Sequence, residues 1–218
     1  MDNKYEEEYL KTKEKPIIKE KDYEDIIYFL DCETGGLKSY INGISSLTIK
    51  DLNNLYDRTF LFKPQKKVYE YSAIKVNRLT LESLYNDDIS TDRTMIIDEL
   101  RKLYMKTTIN KPYLIFCGWN VSFDMDFILQ IYKETKSNLP CPIMLLDLME
   151  IAKNNIKKID KRKKDDDGVE DYKLTTIYQY YFKDFKKTLA HTSDYDVLMT
   201  RKLFKKFISL KYIKTKLL

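Results

Sequence analysis

The chain has 218 residues and is 43% apolar, enough for one core-bearing domain with an extension, or at most two small ones. Its net charge of +5, from 39 basic and 34 acidic residues, permits a polyanionic partner without demanding one. No apolar run approaches a membrane span, residues 1–25 are charged rather than signal-like, and Cys32, Cys117 and Cys141 show no CxxC spacing, so neither a disulfide framework nor a zinc site is expected.

This composition predicts a soluble protein of a reducing intracellular compartment, cytoplasm or nucleus. Residues 1–24 alternate Lys and Glu with few apolar positions and read as a charged tail, or a loosely docked helix, preceding a domain over 25–214. "IIYFLD" (26–31) then has the pattern of a buried strand, stopped by "TGG" (34–36). "GISSLTIKDL" (43–52) and "RTFLFKP" (58–64) follow at short spacing, as in an antiparallel meander.

From Thr91 the period changes. Met95, Ile96, Leu100, Leu103 and Tyr104 recur at helical spacing, with Thr91 or Asp92 as N-cap. "PYLIFCGWN" (112–120) reads as a buried parallel strand, "FDMDFILQIYKE" as a helix, and "PIMLLDLMEIAK" as a short strand passing into another helix. Residues 174–182 and 194–214 read as the last two helices. The plan is an α/β domain with a mixed sheet. Between 153 and 173 a basic block (Lys161, Arg162, Lys163, Lys164) precedes an acidic one, which reads as a solvated loop or as an arm that touches phosphates.

Three stretches carry candidate chemistry. In "LDCETGGL", strand alternation puts Asp31 and Glu33 on one face, where two carboxylates repel each other unless a divalent cation joins them. In "GWNVSFDMDFIL", Asp124 falls in a first helical turn, where the helix dipole favours a carboxylate, and Asp126 cannot share its face. In "LAHTSDYDVLMT", His191 is the sole histidine and precedes Asp194 and Asp196, while Ser193 and Asp196 also fit a variant capping box. Each stretch alone has a plain structural reading as a turn, a cap or a helix start. Together they lie at strand ends and helix starts, where α/β folds gather functional groups.

The order DxE, NxxFD, HxxxxD resembles the DEDDh family of 3′–5′ exonucleases, which includes polymerase proofreading subunits, ribonuclease T and Trex-type enzymes. The residues that carry this are "FLDCETGGL" (29–37), "WNVSFDMDFIL" (119–129) and "HTSDYDVLMT" (191–200), with weaker echoes in 71–84 and 145–153. The resemblance implies a ribonuclease H-like α/β fold, with a mixed five-stranded sheet flanked by helices. It also implies two Mg²⁺ or Mn²⁺ ions held by Asp31, Glu33, Asp124 and Asp196, and His191 as general base. The expected reaction releases nucleoside 5′-monophosphates from the 3′ end of single-stranded or 3′-terminal nucleic acid, DNA slightly favoured over RNA. Thr34 and Gly35 would meet the terminal nucleotide through their backbone, Leu37 and Leu79 would wedge against bases, and Asn120 and Phe123 would shape the pocket. A sister group carries Tyr four residues before the final Asp, where this chain has Thr192. Among relatives some are dimers and others ride on polymerases; a catalytically inactive binding or assembly module is the alternative. The chain departs from the family in having "ETGG" for "ETTG", Trp119 for the common His, "VNRLT" for "IHGIT", and Ser193-Asp194 after His191.

Overall fold

The computed structural model describes residues 27–53, 55–63, 68–85, 89, 92–106, 113–159 and 168–213. The charged stretch before residue 27 and the basic block at 161–164 lie outside them. Five strands form one mixed sheet in the order β3-β2-β1-β4-β5. They are β1 (Ile27–Thr34), β2 (Ile44–Asp51), β3 (Asp57–Leu61), β4 (Leu114–Gly118) and β5 (Ile143–Asp147). The first three make the predicted antiparallel meander, and β4 and β5 run parallel to β1.

The central strand sorts its side chains by parity. Tyr28, Leu30 and Cys32 face one core cluster, built with α3 (Thr94–Lys106) and α4 (Val121–Thr135). Ile27 and Phe29 face the other, built with α5 (Leu148–Asn155), α6 (Leu174–Tyr181) and α7 (Ser193–Ser209). Phe29 meets Phe204 of α7 edge-on at 5.2 Å between ring centres. Continuing along β1, positions 31 and 33 fall on this second face, beyond its apolar end.

The strand runs farther than expected, through Thr34, because pairing with β2 persists to a bulge between Glu33 and Thr34. Two short helices, α1 (Tyr71–Asn77) and α2 (Leu81–Leu84), occupy the stretch that sequence left before the first helix. Thr80 caps α2 by accepting the Ser83 N–H. In α3 the periodicity is shifted: Met95 is exposed, whereas Ile97 is buried beside Ile96, Leu100 and Leu103. The last helix stops at Ser209 rather than 214. Lys211 turns left-handed, and the Tyr212 and Ile213 N–H groups fold back onto the Phe207 carbonyl, tucking Ile213 into the core. All three cysteines are free and buried. Among the described residues, no helix is long and apolar enough to cross a membrane.

Candidate active site

Beyond Phe29, paired with Cys117, β1 has no β4 partner, so the backbone on that side needs another acceptor. Asp124 supplies it. Its Oδ1 accepts the Cys32 N–H at 2.8 Å. Asp124 opens the buried face of α4, one or two turns before Ile128, Ile131 and Tyr132, and is itself 3% exposed. Asp126, two residues on, is exposed.

Asp196 arrives from the opposite face of the sheet. It opens the buried stripe of α7 that continues through Thr200, Leu203, Phe204 and Phe207, so the packing that seats this helix also points Asp196 at β1. One carboxylate oxygen each from Asp31, Glu33 and Asp196 lies within 4.8 Å of the others. Asp124 stands outside that group, with one oxygen committed to Cys32.

The start of α7 is pinned by Ser193 and Asp194. Ser193, 3% exposed, bonds Ser46 and Thr48 of β2, both at 2.8 Å. Asp194 pairs with Lys50 at 2.6 Å, and Lys50 also pairs with Asp57 at 2.9 Å. Asp194 is therefore engaged with the meander, away from the three clustered acids.

His191 occupies the left-handed region (φ 63°), and its N–H donates to Asp196 Oδ1 at 3.3 Å. The preceding loop is tied down at both ends. Lys186 N–H donates to the Tyr195 hydroxyl at 2.8 Å, and Arg78 reaches across from the end of α1 to the Thr188 carbonyl at 2.6 Å. Partial burial, then the Arg78 charge, hold the His191 imidazole below its ordinary pKa.

The acids are pushed the other way. Burial, then Asp124, Glu33 and Asp196, raise Asp31 well above the carboxylate range. Glu33 is pushed up to about 9 by burial and then by Asp196 and Asp124. Asp124 rises to about 8, with burial outweighing the N–H from Cys32, and Asp196 to about 7, with burial opposed by the His191 N–H. Among the described residues no lysine or arginine forms an ion pair with any of the four. Carboxylates crowded in partial or full burial without counter-charge suit a hard divalent cation, whose oxygen ligands they would be.

The expected substrate residues divide into two groups. Thr34, Gly35 and Leu79 gather beside α1, through Asn77 at its end and Glu70 before its start. Asn77 joins this region by donating to the Thr34 carbonyl and accepting the Leu79 N–H. The Gly35 N–H donates to Gly43 and its carbonyl accepts from Glu70, so its peptide groups serve the fold. A Cβ there would press within 2.9 Å of the Tyr69 ring. Leu37 is 78% exposed. Asn120 and Phe123, grouped together by the sequence, separate: Asn120 lines a cavity beside Asp31, whereas Phe123 packs on Phe127 at 5.1 Å.

That cavity, about 580 Å³, is bordered by Asp31, His191 and Asp196 at one end and by Trp119, Lys153, Tyr172 and Lys173 elsewhere. Asp147, which the sequence reading passed over, organises its floor. One oxygen accepts both the Asn120 N–H at 3.0 Å and the Met149 N–H at 2.9 Å, capping α5 and steadying the left-handed Asn120. An Asp between an apolar strand and a helix was its visible signal.

Sheet order and the helices on both faces give the chain a mixed five-stranded α/β fold that it shares with a solved nuclease. Among solved structures, the chain is similar to E. coli exonuclease I. In a zinc-bound complex with single-stranded DNA the TM-score is 0.67 at 14% identity, covering 86% of this chain and 41% of that one. In the complex with a dT13 oligonucleotide the values are 0.65, 16%, 84% and 41%. The dA16 complex gives 0.65, 16%, 85% and 41%. The chain thus spans about two fifths of the length of those proteins. No protein-family model matches the sequence, and no curated protein matches it.

Proposed function

We propose that this chain is a metal-dependent 3′–5′ exonuclease that acts on single-stranded nucleic acid and releases nucleoside 5′-monophosphates. The observation that carries the reading is the convergence of Asp31, Glu33 and Asp196 from β1 and α7, with Asp124 reaching the same strand end from α4. Its bond to Cys32 alone explains Asp124, but gives no reason to crowd three further acids against one another. The fold's likeness to exonuclease I supports the reaction class, and its complexes with DNA oligonucleotides favour DNA over RNA as the substrate.

Asp31, Glu33, Asp124 and Asp196 hold the cations, two Mg²⁺ or Mn²⁺ in this reading. When bound, these supply positive charge to the scissile phosphate and to the attacking and leaving oxygens. His191 accepts a proton from the attacking water at an imidazole nitrogen. Its depressed pKa keeps that nitrogen unprotonated at neutral pH. The Asp196 carboxylate receives the His191 N–H, so the proton acceptor and one ligand share a rigid frame. Leu37 and Leu79 contact the terminal bases, and the Thr34–Gly35 segment meets the terminal nucleotide. Asn120 borders the strand's path.

Digestion of end-labelled DNA and RNA oligomers, with free or blocked 3′ ends, tests polarity, sugar preference and product in one series. Mononucleotide release in Mg²⁺ or Mn²⁺ that disappears in Asp31→Ala is expected. No hydrolysis of any substrate with either metal would sink the reading.

A further inference from the structure

The cavity extends past the acids. From Asp31, His191 and Asp196 it runs on to Trp119, Lys153, Tyr172 and Lys173, whereas Thr34, Leu37 and Leu79 do not line it. The acids therefore border this cavity on one side, while Thr34 and Leu79 are joined to each other outside it through Asn77 at the end of α1. In a strand whose phosphodiester lies at the acids, the terminal nucleotide occupies one surface and its neighbour must occupy the other.

The second surface has the chemistry for a nucleotide. Trp119 is half-buried and held edge-on by its Nε1–H, which donates to the Tyr172 carbonyl at 3.0 Å. Tyr172 is itself tied by its hydroxyl to the Ile156 carbonyl at 2.8 Å. The indole is thus fixed by its edge, and a fixed aromatic platform stacks any base. Lys153 and Lys173 border the same space, and their partners are easily exchanged. Lys153 pairs with Glu150, with the two side chains 39% and 57% exposed; Lys173 pairs with Asp171 at 77% and 32%. Ion pairs so open to water hold weakly, and a phosphate displaces them at small cost. The volume of about 580 Å³ is that of a small-molecule site.

We propose that Trp119, Lys153 and Lys173 form the subsite for the nucleotide on the 5′ side of the cleaved bond, with the base over Trp119 and its phosphate between the lysines. This rests on the exonuclease reading for its polarity. The stack is indifferent to base identity, so the subsite selects single strands, whose bases are free to leave a neighbour, over paired ends.

Trp119 is the only tryptophan in the chain, so its fluorescence reports this surface alone. The experiment is titration of the full chain, in EDTA, with a pentathymidylate and separately with thymidine 5′-monophosphate. The pentamer is expected to quench Trp119 and the mononucleotide to leave it largely unchanged. Each of Lys153→Ala and Lys173→Ala is expected to weaken pentamer binding and to lower the slope of log affinity against log salt by roughly 0.7. Both lysines lie at the surface, and circular dichroism checks that the variants fold. Absence of quenching while Mg²⁺ still supports digestion would overturn the subsite, as would equal quenching by the mononucleotide or unchanged salt slopes in both variants. Lysine-dependent quenching without any hydrolysis would instead remove the exonuclease reading and leave a binding surface for single strands.

Discussion

Asp124, in the first turn of α4, accepts the backbone N–H of Cys32 at 2.8 Å, 92 residues earlier in the chain. The bond takes over where the β1–β4 ladder ends, and the carboxylate that makes it stands near enough to Asp31 and Glu33 to raise the pKa of both. Structural and functional demands on this side chain are therefore separable. In Asp124→Asn the amide oxygen still accepts from Cys32 while the buried charge is lost. This variant is expected to melt no lower than the parent in EDTA at pH 8, yet to show little or no mononucleotide release. Asp124→Ala should melt lower than Asp124→Asn, since an unpaired buried N–H costs about 1–3 kcal/mol. Paired thermal melts and digestion assays check both.

The metal-free protein should lose stability as pH rises. Unfolded carboxyls titrate near pH 4, whereas Glu33, Asp124 and Asp196 in the fold titrate near 9, 8 and 7. Between those limits the folded state binds more protons than the unfolded one. Their contribution is fully present below about pH 4 and is lost as pH climbs through the folded values. Urea midpoints in EDTA should fall from pH 5 to 9. Added Mn²⁺ should raise them most at the alkaline end, where binding displaces the fewest protons.

His191→Asn tests the proton acceptor while keeping a residue that tolerates the left-handed backbone. Its N–H to Asp196 survives, so metal affinity should hardly change, while turnover falls by about 10²–10⁴-fold. In the parent, the acidic limb of the pH–rate profile should lie below the ordinary imidazole pKa, matching the direction imposed by burial and Arg78.

Asp194 and Asp196 differ in consequence. Asp194→Ala removes one of two carboxylates on Lys50, leaving Asp57 in place, and should cost about 1 kcal/mol or less without weakening metal binding. Asp196→Ala should abolish activity and raise stability in EDTA, because a repelling buried acid is gone. Calorimetric titration with Mn²⁺ separates the two.

Ser193→Ala leaves the Ser46 and Thr48 hydroxyls without their shared partner, a loss of about 1–3 kcal/mol. Because Ser193 seats the start of α7, metal affinity should fall with stability, although Ser193 touches no ligand oxygen.

Much of this arrangement follows from local pattern. Period-two alternation in "IIYFLDCET" places 31 and 33 on one face; helical period separates Asp124 from Asp126 and Asp196 from Asp194, but which of each pair is buried is chosen by the resemblance and is seen only in the packing of α4 and α7. Alternation and helical period are properties of a few consecutive residues, so the sequence alone determines the strands, the principal helices and the shared face of Asp31 and Glu33. Boundaries were less legible. The β1 extension depends on pairing with β2, and the end of α7 on a left-handed Lys211 that no periodicity announces.

What only the tertiary structure decided are relations between distant segments. Asp147 steadies Asn120, Arg78 clasps the loop before His191, and Ser193 docks on β2. Trp119, noticeable in sequence only as a departure from a family pattern, becomes one wall of a cavity with two lysines drawn from other elements. The physical reason is the range of the forces. Hydrophobic periodicity acts over one or two turns and is written along the chain. Hydrogen bonds and charge contacts across the sheet exist only once packing has brought their partners within a few ångströms.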